Sequence, residues 1–226
     1  MSGWKTAFRS FYYEKADPPD DIVLSSACTA LLIIDLQQTY LEVPDDKDEA
    51  GRWQPFFDRM NRTVIPNTAR LIEWAREKEI EVIFARIACL KQDGRDRSLS
   101  QKKPGFNYLL LPWDRPDSFI VKGLEPRDSD IVVLKTTDSA LTGTNLRLIL
   151  HNMGISDVRV AGIFTDQCVS STVRSLADES FGVIVAEDCC AAATDDLHCH
   201  ELSVINMIYC HVMSLDEVMA TVDKKL

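Results

Sequence analysis

Ala30-Leu-Leu-Ile-Ile-Asp35 is a run of five apolar residues that ends in a carboxylate. A short, continuous apolar run reads as a strand buried on both faces, which is the signature of a parallel sheet. The same kind of run recurs at Val82-Ile-Phe-Ala85, Ile131-Val-Val-Leu134, Val158-Arg-Val-Ala-Gly-Ile163, Val183-Ile-Val-Ala186 and, briefly, His211-Val-Met213. Helical stripes lie between them. Val64, Thr68, Leu71, Ile72 and Ala75 share one face; Leu146, Ile149, Leu150 and Met153 share another, closed by Gly154. Val169, Thr172, Val173 and Leu176 form a third stripe, and Leu202, Ile205, Ile208 and Tyr209 a fourth. Ser214-Leu-Asp-Glu217 is a capping box that opens a last helix running toward Lys224. Strands alternating with helices predict a three-layer α/β/α protein, with a six-stranded, mainly parallel sheet in the order 3-2-1-4-5-6.

These elements occupy residues 30–226 with no repeat and no linker, which predicts one domain. Residues 1–29 carry Trp4, Phe8, Phe11, Tyr12 and Tyr13 with little periodicity, and read as an arm laid on the body or on a neighbouring subunit. Residues 89–129 have no clear period either. A stretch that long inside a domain reads as a lid-like insertion. Between Lys91 and Lys103 it holds five basic side chains against two acidic ones, in a chain of net charge −10. That excess suggests a basic lid over a polar or anionic substrate, or else a solvated surface loop.

Composition excludes several classes. A chain of 226 residues, 46% hydrophobic and 27% charged, has the make-up of a globular domain and needs no disulfide or metal to hold a core. Its charge of −10 repels phosphate backbones, so no nucleic-acid partner is expected. The longest apolar run is far short of a membrane span, and no signal-peptide pattern is visible at the start. Seven cysteines without a regular framework predict reduced thiols in a cytoplasmic protein, at least five of them inert packing.

In an open α/β sheet, ligands bind at the carboxyl ends of the strands, where the strand order reverses. Asp35 ends the first strand, Arg86 follows the second and Lys135 ends the third. After the fourth comes Phe164-Thr-Asp-Gln-Cys168, which places Cys168 at a helix start. Asp35, Lys135 and Cys168 should therefore converge. A carboxylate straight after a buried run needs a partner. A thiol at a helix N-terminus beside a lysine is where thiolates become accessible.

Three segments carry a family resemblance. Ala30-Leu-Leu-Ile-Ile-Asp35-Leu-Gln37-Gln-Thr-Tyr40 resembles the first motif of the isochorismatase-like cysteine hydrolases, which include nicotinamidases and carbamoylsarcosine, ureidoacrylate and biuret hydrolases. Leu134-Lys135-Thr-Thr-Asp-Ser-Ala-Leu-Thr-Gly-Thr144 resembles the second, and Gly162-Ile-Phe-Thr-Asp-Gln-Cys168-Val the nucleophile-bearing third. The resemblance implies that Cys168 attacks a carbonyl carbon, that Asp35 exchanges the proton, and that Lys135 keeps Asp35 ionised and favours the thiolate. It implies a cis peptide before Phe164, with the N–H groups of Phe164 and Cys168 forming an oxyanion hole. Gln37, Tyr40, Arg86 and Thr165 then fall beside the substrate, Gln37 as a support and Tyr40 as a wall.

The departures narrow the chemistry. True isochorismatases lack the cysteine, so Cys168 argues for C–N hydrolysis of a small amide, ureido or carbamoyl compound. The histidine metal site of many nicotinamidases is missing, because His151, His198, His200 and His211 all fall in the second half. His198 and His200 are two residues apart, which on a helix points them to different sides. No metal or cofactor is expected. The alternatives are a nicotinamidase-type hydrolase of an aromatic amide, or a catalytically silent binding member of the fold. A thiol redox role lacks a Cys-x-x-Cys motif. The family commonly forms dimers or tetramers, so a homo-oligomer is expected.

Overall fold

β1 (Thr29–Ile34) is buried along its whole length and forms the centre of the sheet. The computed structural model describes residues 3–23, 25–104 and 109–221. β2 (Glu81–Ile87) and β3 (Ile131–Lys135) lie on one side of β1. β4 (Asp157–Ile163), β5 (Gly182–Ala191) and β6 (His211–Met213) lie on the other. Every pairing is parallel, and the order is β3-β2-β1-β4-β5-β6. The sheet is thus wholly parallel, where a mainly parallel one was expected.

Alternation along β1 divides the core in two. Leu31 and Ile33 face helices α1 (Lys47–Arg59), α2 (Ile65–Glu77) and α6 (Leu215–Ala220) through Phe56, Leu71, Ile72, Ala75 and Val218. Ala30, Leu32 and Ile34 face α3 (Leu146–Asn152), α4 (Ser170–Asp178) and α5 (Asp195–Ile205) through Leu146, Leu150, Val173, Leu176 and Leu202. The Ser214 capping box forms as read, with Glu217 reaching back to the cap. The expected run toward Lys224 lies partly outside the described residues.

α1 is the helix the sequence reading did not anticipate. Asp46 caps it, accepting from the N–H groups of Asp48 and Glu49. A π-helical turn, Met60–Val64, joins it to α2. The fourth stripe is also shorter than expected: α5 stops at Ile205, and Met207 turns the chain with φ of +61°.

The segment 89–129 is aperiodic but is not a free flap. Leu111, Ile120, Val121 and Leu124 are buried, and the Val121 N–H donates to Leu36 O at 2.9 Å. The N-terminal arm folds onto its own body. Trp4 packs edge-on against His211, its backbone N–H donates to Glu217 Oε1, and Asn206 donates to the carbonyls of Ala7 and Phe8. Phe11 and Tyr12 remain 84% and 81% exposed. No helix among the described residues is long and apolar enough to cross a membrane.

Candidate active site

The chain leaves β1 through Asp35, whose φ of +53° is the left-handed turn that Asp tolerates better than most residues. Two bonds fix this turn: the Asp35 N–H donates to Ala85 O, and the Gln37 N–H donates to Asp35 O. The Ile87 N–H donates to Asp35 Oδ1 at 2.8 Å and to Gln37 Oε1 at 2.9 Å. The Gln37 amide donates in turn to the carbonyls of Ile87 and Ser118. Gln37 therefore braces the site without lining the cavity.

Lys135 ends β3, two strands away from β1. Strands lie about 4.8 Å apart, so only a long side chain spans that gap. Its Nζ reaches within 2.7 Å of Asp35 Oδ2 and 3.3 Å of Cys168 Sγ, and donates to Thr137 O. Cys168 arrives from the opposite side. β4 ends at a cis peptide between Ile163 and Phe164, and Phe164 caps a π-helical turn, Thr165–Val169, that runs into α4. The three side chains predicted to converge do so, and their exposures are 1% for Asp35, 0% for Lys135 and 5% for Cys168.

Burial decides the electrostatics. It pushes the Asp35 carboxyl above its ordinary range, and Lys135 pulls it back. Burial, then the Asp35 carboxylate, push the Cys168 thiol well above its usual value against the pull of Lys135. Burial also opposes the charge on Lys135, but Asp35 and the sulfur outweigh it and hold the ammonium above its ordinary value. Asp35 and Lys135 form the ion pair of the site, and the sulfur stands beside it. Lys135 favours the thiolate as expected, and desolvation opposes it.

The cavity above this trio has a volume of about 330 Å³. Its walls are aromatic: Tyr40, Trp53, Phe56, Phe57 and Phe164. Tyr40 stands edge-on to Phe164 at 5.4 Å, as a wall should. Glu42 and Asp138 add carboxylates to the lining, and Gln101 and Leu109 are what segment 89–129 contributes among the described residues. Asp138 Oδ1 accepts from Gln101 Nε2 at 2.6 Å and lies 3.7 Å from Cys168 Sγ.

Two predicted substrate-binding residues lie elsewhere. The Arg86 guanidinium donates to Ser118 and Trp113 and stacks on Phe119, which ties down the 113–119 turn. Thr165 points behind the nucleophile loop, where its hydroxyl meets His198 Nδ1 at 2.8 Å. The other ring nitrogen of His198 lies 2.8 Å from Arg59 Nη2. A guanidinium only donates, so His198 Nε2 accepts and Nδ1–H donates to Thr165. That chain runs from the end of α1 to the nucleophile loop. His200, two residues on, is exposed.

The basic residues of segment 89–129 do not line the cavity among the described residues. Arg97 is buried on the carbonyls of Gly94, Gln101 and Leu109, Arg95 pairs with Asp93, and Lys102 donates to Arg95 O. The trio was legible from strand ends; the walls were not. Trp53, Phe56, Phe57 and Met60 stand at i, i+3, i+4 and i+7 behind the Asp46 cap, a signal that would have revealed α1 and three wall residues.

Comparison with known proteins places the chain by fold and family. A protein of Arabidopsis thaliana named as a probable inactive nicotinamidase is 29% identical over 174 residues, covering 75% of this chain and 84% of that protein. The ureidoacrylate amidohydrolase of Yersinia enterocolitica is 30% identical over 189 residues, covering 75% of this chain and 78% of the relative. The crystal structure of a cysteine hydrolase from Pseudomonas syringae superposes with a TM-score of 0.75 at 20% identity, over 91% of this chain and 97% of that one, which is a likeness of fold. With the Isochorismatase domain matched across residues 29–217, on the sheet order and strand ends described, the chain belongs to the isochorismatase family.

Proposed function

We propose that the protein is a cysteine amidohydrolase that cleaves the C–N bond of a small amide, ureido or carbamoyl compound. One observation carries this reading: a buried thiol 3.3 Å from a lysine that is itself paired with a carboxylate, all beneath one cavity. As Cys168 Sγ attacks the carbonyl carbon, Asp35 takes the thiol proton. Its raised pKa suits that task, since a stronger base accepts the proton more readily. Negative charge grows on the substrate oxygen, for which the N–H groups of Phe164 and Cys168 are the assigned donors. The C–N bond then breaks and Asp35 returns the proton to the departing nitrogen. Water attacks the thioester, gives its proton back through Asp35 to sulfur, and the carboxylic or carbamic product leaves. Lys135 keeps Asp35 anionic between these transfers. Ureidoacrylate amidohydrolases among the relatives support the reaction class.

Aromatic walls favour a second reading within the same chemistry, a nicotinamidase-type hydrolase of an aromatic amide. Ammonia release is measured over ureido acids, carbamoyl amino acids, biuret and nicotinamide, with mass spectrometry for an acyl adduct on Cys168. Turnover that vanishes in Cys168→Ala is the expected result. Activity retained by Cys168→Ala overturns the nucleophile. No turnover of any amide would mean a silent binding member of the fold.

A further inference from the structure

The charge of the cavity is opposite to that of the loop beside it. Asp35 is neutralised by Lys135, but the lining carboxylates Asp138 and Glu42 have no cationic partner among the described residues. No Lys, Arg or His side chain lines the cavity among those residues. Three of the cations that composition placed nearby are held elsewhere: Arg86 by Ser118, Arg97 by loop carbonyls, Lys102 by Arg95 O. A carboxylate substrate entering this space would meet like charge and only neutral side-chain donors, those of Thr39, Tyr40, Trp53, Gln101 and Gln167 among the described residues.

The walls point the same way. Aromatic rings expose a negative face, and a cation held against several of them is attracted without losing all of its hydration energy. Tyr40, Trp53, Phe56 and Phe164 form one contiguous aromatic surface, with centroids 5.2–6.2 Å from that of Phe164. Asp138 Oδ1 sits 3.7 Å from the nucleophilic sulfur, so the substituent it meets is within a bond or two of the scissile carbonyl. At long range the chain's net charge of −10 also draws cations toward it.

We propose that the site selects amides bearing a positively charged group, a quaternary ammonium or alkylpyridinium, next to the scissile carbonyl, and disfavours amides bearing a carboxylate. This rests on the amidohydrolase reading above and narrows its substrate class. Asp138 and Glu42 supply the counter-charge, and the aromatic wall supplies the face on which the cation rests.

The test uses compounds matched in shape and differing in charge: betaine amide, its neutral carbon isostere tert-butylacetamide, and anionic malonamate. Nicotinamide and its N-methylpyridinium form a second pair. Two readouts are taken on the whole chain carrying Cys199→Ser, which removes an exposed thiol that does not line the cavity. One is kcat/KM for ammonia release. The other is protection of Cys168 from iodoacetamide, which needs no turnover. Each cation should exceed its neutral partner by about tenfold or more in either readout, with malonamate weakest. Asp138→Asn and Glu42→Gln should each shrink the ratio of cation to neutral, and together bring it near unity. Equal protection by the three charge types, or a preference for malonamate, overturns the proposal. So does a ratio unmoved in the double variant. Charge-selective protection without any ammonia release would sustain the selectivity and refute the hydrolase reading instead. Turnover of neutral amides without charge preference would do the reverse.

Discussion

Lys135→Met tests how the site holds its charges. The substitution removes the ammonium and keeps a chain of similar length. It leaves Asp35, 1% exposed, without the cation that now lies 2.7 Å away. Removing one partner of a buried pair costs about 3–5 kcal/mol, because the other charge is left uncompensated. A domain of this kind has about 5–15 kcal/mol in total, so the variant still folds but with a clear deficit. Relief comes by protonation. Burial already raises Asp35, and losing Lys135 removes the pull that opposes it. The folded-state pKa then lies above the unfolded value of about 3.9. The sign follows: the neutral carboxyl stabilises the folded state fully below about pH 4, and that contribution is lost as pH rises through the folded pKa. The deficit against the parent should therefore be largest near pH 8. It should shrink by about 1.4 kcal/mol per pH unit on descending between the two pKa values.

Urea unfolding followed by circular dichroism, at intervals from about pH 8 to pH 5, reads this directly. Adding Asp35→Asn to Lys135→Met should recover part of the loss and flatten its pH dependence, since no buried charge remains. Amide hydrolysis should stay absent in both variants. A deficit under about 1 kcal/mol at pH 8 would show that the pair is solvated rather than buried. A larger deficit independent of pH would assign the cost to packing alone.

Other expectations follow from the same coordinates. In a Cys199→Ser background, the rate of Cys168 alkylation should still be climbing past about pH 9, because burial and Asp35 hold the thiol high; a plateau near neutrality would contradict this. The acid limb of kcat/KM should fall above about pH 4, since Asp35 must be anionic to accept the proton and its pKa is raised. Gly162→Ala should cost at least about 3 kcal/mol by thermal melting, because φ is +132° and a Cβ would stand 2.0 Å from Ile34 O where β1 and β4 meet. The outward Phe11 and Tyr12 are the part of the arm left to hold a second subunit; Phe11→Ser with Tyr12→Ser should reduce the assembly mass in light scattering, and an unchanged mass rejects that role.

The sheet was legible because its central strands are buried on both faces, so β1 and most of β2 read as continuous apolar runs. The trio was legible for a related reason. A charged or nucleophilic residue at the end of such a run has no solvent to meet, so its partners must be other residues of that kind. α1 escaped because its first turns, Lys47 to Arg52, are polar and exposed, and Pro55 interrupts the run before the aromatic stripe is complete.

The failures at Arg86 and in the segment after it share a different cause. Position along a strand says where a side chain starts, but parity says which face it leaves from. Ile87 lines the cavity; Arg86 leaves from the other face, on which Phe56 and Phe57 also pack, but its guanidinium is held by Ser118 and Trp113. Summed charge is weaker still as a guide. A stretch rich in lysine and arginine looks like a site for anions until each cation is followed to its acceptor. Arg97 then proves to be spent on three carbonyls of its own loop. What reaches the cavity from that stretch, among the described residues, is uncharged: Leu109 and the amide of Gln101, which holds an aspartate. Which charged groups line the cavity is therefore decided by hydrogen-bond geometry, which the summed charge of the segment does not report.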